Sequence, residues 1–143
     1  MQIRNMTLED YEQVYALWKS TPGVGLSDVD DTKAGIDTFL KRNPGCCFVA
    51  EEGELLAGTI LAGHDGRRGH IYHAAVHPDF RRRGIGQALV QAAIDALAAQ
   101  GITKAKLVVF QANTGGNKFW ESMGFTTRDD LFYRNKSLNS QNT

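Results

Sequence analysis

The chain has few cysteines and no excess charge of either sign, and each shortage excludes a class of protein. Its only cysteines are the adjacent Cys46 and Cys47, which would form a strained disulfide and lack metal-binding spacing. We expect two small apolar residues at the start of a strand. Lys and Arg together number 16, as do Asp and Glu, so no overall field attracts nucleic acid or an anionic membrane.

Long apolar runs are also lacking. No run reaches the length of a membrane span, and no signal-peptide pattern follows Met1, so we expect a cytoplasmic protein. No internal repeat or interdomain linker is visible. The 143 residues, 42% of them hydrophobic, predict a single domain at residues 1–134 and a polar, frayed tail at residues 135–143.

The most informative segment is a glycine turn between a strand and a long helix. A central strand is predicted at His70–His77, and apolar residues at helical spacing predict a helix from Ile85 to Gln100. Between them lies Arg-Arg-Arg-Gly-Ile-Gly, at Arg81–Gly86. The unpaired N–H groups at the start of the helix, its dipole and the arginines together predict a site for a diphosphate.

Two common glycine motifs are excluded by single residues. The dinucleotide fingerprint needs a third glycine where Leu89 stands, and the P-loop needs Lys-Ser/Thr where Gln87-Ala88 stands. The local arginine cluster on a neutral chain argues for a small anionic ligand. Nucleic-acid binding would need basic residues spread along a face, and we expect no nucleic-acid or membrane partner.

The predicted order of elements is β-α-α-β-β-β-α-β-α-β. Besides the central strand, strands are expected at Gln2–Asn5, Cys46–Glu51, Leu55–Ala62, Thr103–Phe110 and Phe125–Arg134. The other helices are expected after an N-cap at Thr7, at about Thr32–Arg42 and at about Gly115–Met123, with a long loop at Ser20–Asp31. This order predicts an α+β fold, an α/β/α sandwich around a mixed, mostly antiparallel sheet.

Two motifs and this order resemble the GNAT superfamily of N-acetyltransferases over nearly the whole chain. The family's acetyl-CoA loop has the form Gln/Arg-x-x-Gly-x-Gly/Ala, which Arg81–Gly86 matches. Its segment Asn-x-x-Ala-x-x-Phe/Leu-Tyr-x-x-x-Gly-Phe is matched at Asn113, Phe119, Gly124 and Phe125. The resemblance implies the GNAT acyl-CoA N-acyltransferase fold.

The resemblance also implies an activity and a set of binding residues. An acetyl group would pass from acetyl-CoA to a primary amine of a small molecule or protein, by direct attack on the thioester. Backbone N–H groups on a splayed central strand would hold the pantetheine amides or the developing oxyanion. The implied CoA-binding residues are Ala75, Val76, Arg81, Arg82, Arg83, Gly84, Ile85, Gly86, Gln87, Asn113, Phe119 and Trp120.

Two positions depart from the family pattern. Gly116 replaces an alanine, which weakens the helix by about 1 kcal/mol. Trp120 replaces the tyrosine that protonates the leaving thiolate in many members, and an indole N–H is not a useful acid. A thiol with a pKa of about 8.5 is already a fair leaving group. The general acid therefore stays open, and a non-catalytic acyl-CoA-binding or regulatory module of the same fold is the alternative.

The central strand supplies the candidate base. His70 and Tyr72 are expected on one face and His73 on the other, because side chains alternate along a strand. His70 is the first choice for the base, directly or through a water, and Tyr72 is expected to form a wall of the acceptor pocket. The competing interpretation is that His70 is a packed or exposed residue without a catalytic role.

The acceptor pocket is expected between the loop Ser20–Asp31 and the turn Gly63–Gly69. Trp18, Asp28, Asp30 and Asp31 are candidates for contact with a cationic amine. Equally, these aspartates can form a solvated loop in which Asp30 and Asp31 cap the second helix. The apolar run Leu131–Tyr133 is a candidate surface for a homodimer.

Overall fold

The computed structural model describes residues 1–142, so that Thr143, the end of the expected tail, lies outside the described residues. Its strands are β1 (Gln2–Asn5), β2 (Phe48–Glu52), β3 (Leu55–His64), β4 (Gly69–Val76) and β5 (Ala105–Lys106). Its helices are α1 (Tyr11–Ser20), α2 (Lys33–Arg42), α3 (Ile85–Ala99) and α4 (Thr114–Ser122). Within residues 1–142, no helix is long and apolar enough to cross a membrane.

The strands form one sheet in the order β1-β2-β3-β4-β5. The first four are antiparallel to their neighbours, and β5 lies parallel to β4 after the crossover through α3. One buried cluster joins the sheet to α3 and includes Leu89, while a second joins it to α1 and α2 and includes Trp18 and Ile36. The predicted α+β sandwich around a mixed, mostly antiparallel sheet is confirmed.

The N-terminus of α2 is capped by Thr32. The backbone N–H of Gly35 donates to its hydroxyl at 3.1 Å, as expected of a threonine at this position. Asp31 lies one residue before the cap and is buried, with 6% exposure. The expectation that Asp30 and Asp31 cap this helix is therefore wrong.

A bulge in β4 changes the faces of its side chains. The register places Leu61 opposite His73 and Ala62 opposite Ile71, which leaves Tyr72 as the additional residue. Tyr72 then packs on Phe39 and His73 packs on Trp18, so both rings lie on the α1–α2 side of the sheet. The expectation that His73 lies opposite Tyr72 is wrong, because strict alternation ends at a bulge.

The last two predicted strands are shorter than expected or absent. The strand predicted at Thr103–Phe110 pairs only at Ala105–Lys106, and residues 125–134 of the described chain contain no strand. Apolar side chains in this region stay in solvent, and Phe132 is 90% exposed. Because β5 pairs over only two residues, it offers little edge on which a further strand could form.

A glycine in β3 lets α3 lie close against the sheet. A Cβ at Gly58 would lie 2.9 Å from Cδ1 of Leu89 and 3.1 Å from the backbone oxygen of Ala75. Any side chain here would push α3 away from the strands, because interiors are close-packed. Gly58 therefore helps to set the position of the start of α3 relative to the end of β4.

We predict that Gly58→Ala lowers the free energy of unfolding by about 1–3 kcal/mol, the usual cost of overpacking a core. Gly25→Ala is the matched control, since a Cβ at Gly25 meets nothing within 4 Å, and it should change stability by no more than about 0.5 kcal/mol. Urea unfolding measures both. Equal stabilities of the two variants would contradict this account of the α3 contact.

Candidate active site

A groove of about 1330 Å³ opens where β4 and the chain after β5 diverge. The two strands pair only at Gly69 and His70, and residues 107–110 continue without pairing while lining the groove. The start of α3, the start of α4 and the loop residues Thr21–Gly25 complete the walls. The expectation of a splayed central strand agrees with this geometry.

The free edge of β4 presents backbone polar groups to the groove. The N–H of His77 donates to the carbonyl of Ala57 on β3 at 2.7 Å, and partners alternate along an antiparallel pair. The backbone groups of Val76 therefore point away from β3. Consistent with this direction, Nε of Arg81 donates to the carbonyl of Val76 at 3.3 Å.

At one end of the groove, α3 begins without a side-chain cap. Its N-cap is Gly84, in the left-handed conformation with φ of 78°, and no side chain of residues 1–142 caps the first turn. Ile85 is buried and fixes the start of the helix in the core. The first N–H groups and the positive end of the dipole are thus available to an anion.

The arginines beside this helix start do not all face the groove. Arg81 and Arg82 line it, while the guanidinium of Arg83 lies 5.1 Å from the ring centre of Phe80. Arg82 has φ of 65° and is the only non-glycine residue of the described chain with a positive φ. Such a conformation costs about 1–2 kcal/mol in a residue that carries a Cβ.

Two aromatic residues of α4 form another wall. A Cβ at Gly86 would lie 3.3 Å from Cε1 of Phe119, so this glycine lets α3 and α4 approach. Trp120 packs edge-on between Phe119 and Phe125, with ring centres 5.1 and 5.2 Å apart. Both Phe119 and Trp120 line the groove.

Asn113 begins α4 and reaches toward the opposite wall. Its side-chain oxygen accepts from the N–H of Gly116 at 2.9 Å, and a Cβ at Gly116 would lie only 2.5 Å from its Nδ2. Glycine at position 116 therefore accommodates this cap. Across the groove, a Cβ at Gly23 would lie 3.0 Å from the same Nδ2, so α4 nearly meets the loop between α1 and α2 at residues 21–32, called the α1–α2 loop.

His70 lies on the groove with both ring nitrogens free of hydrogen bonds to the residues described. Its ring centre is 4.2 Å from that of Tyr72, and the groove is lined by both. Burial, and secondarily the charge of Lys106, holds the pKa of His70 below its ordinary value of 6.5. The imidazole is therefore mainly neutral at neutral pH and able to accept a proton.

A second histidine on β4 is bound by a carboxylate. Nε2 of His73 donates to Oδ1 of Asp31 at 2.9 Å, and both side chains are largely buried. Sequence reasoning missed this pair, because the bulge that turns His73 toward Asp31 has no local sequence signal.

Trp18 is fully buried, so its expected contact with an acceptor is wrong, whereas Asp28 and Asp30 are exposed.

The groove brings together all the predicted catalytic and CoA-binding residues except Arg83, whereas the acceptor candidates Trp18, Asp28, Asp30 and Asp31 are outside its lining. Its lining includes the loop around Gly84 and Gly86, together with His70, Tyr72, Ala75, Val76, Gln87, Asn113 and Trp120. The loop after α1 contributes as expected. The turn Gly63–Gly69 is not part of the lining within residues 1–142, so its expected place in the acceptor pocket is wrong.

Comparison with known proteins identifies the family. The model of the acetyltransferase (GNAT) family matches residues 11–125. The chain belongs to the GNAT acetyltransferase family. An acetyltransferase of Yersinia enterocolitica is 32% identical over 131 residues, which cover 92% of each chain.

Solved structures of this GNAT protein's relatives share its fold. Ard1 of Thermoplasma volcanium superposes with a TM-score of 0.77 at 25% identity, over 87% of this chain and 82% of that one. AAC(6')-Iy, bound to the bisubstrate analogue CoA-S-monomethyl-acetylneamine, superposes with a TM-score of 0.75 at 20% identity, over 95% of this chain and 98% of that one. The GNAT fold expectation is confirmed.

Family membership gives this GNAT protein its reaction class. It is an N-acetyltransferase that uses acetyl-CoA as donor and a primary amine of a small molecule or protein as acceptor. This favours the catalytic interpretation over a non-catalytic acyl-CoA-binding module. The groove suits the donor, since an uncapped helix start and two arginines lie at one end and a free strand edge leads inward.

For the GNAT protein we predict that the side chain of His70 titrates below 6.5 in an NMR pH titration, because the buried imidazolium is poorly solvated. Lys106→Gln should raise the pKa of His70 but leave it below 6.5, since burial is the larger cause. A wild-type midpoint at or above 6.5 would contradict the prediction.

Proposed function

We propose that the groove holds acetyl-CoA with its pyrophosphate at the start of α3 and its thioester beside the free edge of β4. The observation that carries this proposal is the continuity of the groove from the uncapped N-terminus of α3 to His70. Arg81 and Arg82 would pair with phosphate oxygens, while the N–H groups of Gly86 and Gln87 would donate to them. Arg83, which stacks on Phe80, would contribute only charge.

Residues farther along the groove would hold the pantetheine arm. The Val76 N–H would donate to a pantetheine amide or to the acyl oxygen, because its register directs it away from β3. Ala75 would keep this edge narrow with its small, buried side chain. Asn113, Phe119 and Trp120 would form the opposite wall.

The chemistry assigned to this chain is removal of a proton from the acceptor amine. When bound, acetyl-CoA would supply an activated acetyl group, and CoA would leave as a thiolate that takes its proton from water. His70 would accept the proton of the attacking nitrogen, directly or through one water, because its pKa is lowered and its ring nitrogens are free of protein partners. Tyr72 would form a wall of the groove that orients the amine. Trp120 would lie beside the sulfur of CoA, and its indole N–H would not act as an acid.

The proposed acceptor is a cationic amine that enters past the α1–α2 loop. Asp28 and Asp30 are exposed there, and burial followed by the charges of Asp65, Tyr133 and Asp30 raises the pKa of Tyr72. The charges of Asp65 and Asp30 thus act on the ring that lines the groove. The acetylneamine analogue bound by AAC(6')-Iy, a protein of this fold, supports an amine as the acceptor.

The proposed setting is the cytoplasm, with a second copy of the chain as partner. Two free, buried cysteines suit a reducing compartment. Leu131, Phe132 and Tyr133 are 61%, 90% and 73% exposed, and this apolar run supports self-association.

Gly86→Glu should abolish binding of CoA, because a carboxylate and added bulk beside Phe119 would occupy the proposed phosphate site. Isothermal titration with CoA measures the effect, with a loss of at least 100-fold (about 2.7 kcal/mol) expected. Ala99→Glu is the matched control, since it adds the same charge at the exposed far end of α3. Unchanged affinity of Gly86→Glu would reject the proposed cradle.

His70→Ala should lower turnover by about 10²–10⁴-fold, the usual contribution of general base catalysis, with the affinity for CoA unchanged. Thiol release from acetyl-CoA is measured over a panel of polyamines, aminoglycosides and alanine-terminated peptides. The same assay identifies the acceptor and measures the loss of turnover in the variant. Wild-type activity should fall as the pH drops through the pKa of His70, because the protonated ring cannot act as a base. His64→Ala, outside the groove lining, is the control, and equal turnover of the two variants would remove His70 from the mechanism.

A further inference from the structure

The buried pair Asp31–His73 connects two parts of the groove that are distant in sequence. His73 belongs to β4, three residues before Val76, and its ring lines the groove. Asp31 ends the loop that follows α1, whose residues Thr21–Gly25 line the other side. The bond between Nε2 and Oδ1, 2.9 Å long, is therefore a direct tie between the strand and the loop.

All four polar atoms of Asp31 make hydrogen bonds, and two of these bonds lie within the loop. Its Oδ2 accepts from the N–H of Ser27 at 2.7 Å, and its own N–H donates to the carbonyl of Ser27 at 3.2 Å. Its carbonyl accepts from the hydroxyl of Tyr11 at 2.7 Å. Only the bond to His73 reaches the sheet, so the loop's hydrogen bonding to β4 through Asp31 depends on that histidine.

Loss of this bond would be strongly destabilising, because both of its side chains are largely buried. The side chains of His73 and Asp31 are 13% and 7% exposed, and the ring of Trp18 packs edge-on against His73 with centres 4.8 Å apart. A buried carboxylate that loses its partner is strongly destabilised unless it moves to water. Loss of His73 would leave Oδ1 of Asp31 buried without a donor, with only the Ser27 N–H still bound at Oδ2, which favours movement of Asp31 and its loop toward water.

The tied loop closes the acceptor side of the groove. At Gly23 it approaches Asn113 so closely that a Cβ would lie 3.0 Å from Nδ2. A loop that moved outward by even a few ångströms would open this point. The Asp31–His73 bond thus supports this wall, together with the packing of Val24 and Leu26 on the buried cluster that includes Trp18.

We propose that Asp31 and His73 are positioning residues that hold the α1–α2 loop as the acceptor-side wall and thereby set the affinity for the amine. The inference rests on the proposed function for the identity of this side of the groove. It assigns the pair no proton transfer. The cofactor end of the groove, at the start of α3, does not depend on it.

His73→Leu and His73→Gln separate this role from general stability. Leucine removes the donor, whereas the glutamine amide can still donate to Asp31. Hydrogen exchange, followed by mass spectrometry, should become at least tenfold faster for peptides from residues 20–31 in His73→Leu, with residues 84–90 unchanged. His73→Gln should stay close to wild type, and both variants should bind CoA within twofold of wild type.

Kinetics with spermidine as the probe amine give the functional result. The KM for spermidine should rise at least fivefold in His73→Leu, with a smaller change in kcat, and return toward wild type in His73→Gln. Loop exchange that equals wild type, or exchange that rises uniformly including residues 84–90, would overturn the proposal. So would a mobile loop with an unchanged KM. Failure of the proposed function would instead appear as a wild-type protein that does not bind CoA.

Discussion

The separation of β4 from β5 is the structural constraint on which the rest of the site depends. Two residues of parallel pairing, at Gly69 and His70, align the strands, and beyond them no strand of residues 1–142 pairs with that edge of β4, whose Val76 carbonyl instead accepts from Nε of Arg81. Unpaired backbone groups in a protein interior require partners. Here they face a groove, where water, or a ligand that offers amide groups along an extended chain, can supply the partners.

The close contact of α3 with the sheet gives this edge its direction. Gly58 lets the helix approach β3, Gly86 lets it approach Phe119, and Gly84 turns the chain into the helix with no side chain over its end. The uncapped N–H groups consequently lie at one end of the strand edge rather than elsewhere on the surface. Charge recognition and amide recognition are thereby arranged in one line, which suits a long, anionic cofactor.

Features coded by neighbouring residues were predictable from the sequence, and features coded by register were not. Arg81–Gly86 predicts the uncapped start of α3 because glycines and helical spacing act locally. The bulge opposite Leu61 depends on how β3 and β4 fit together, so the partnership of His73 with Asp31 left no signal. Phe125–Arg134 has the composition of a strand, but composition forms no strand where β5 supplies so short an edge.

The same bulge explains why two histidines of one strand have different surroundings. Nε2 of His73 lies 2.9 Å from the carboxylate of Asp31 and Nδ1 lies 3.0 Å from the carbonyl oxygen of Tyr72, so both nitrogens face acceptors. Neither nitrogen of His73 is therefore directed at an amine in the groove. His70 precedes the bulge, stacks on Tyr72 and keeps its nitrogens unbound by the described residues. A single additional residue in β4 thus turns one imidazole toward Asp31, while the other keeps the unbound nitrogens that the proposed base requires.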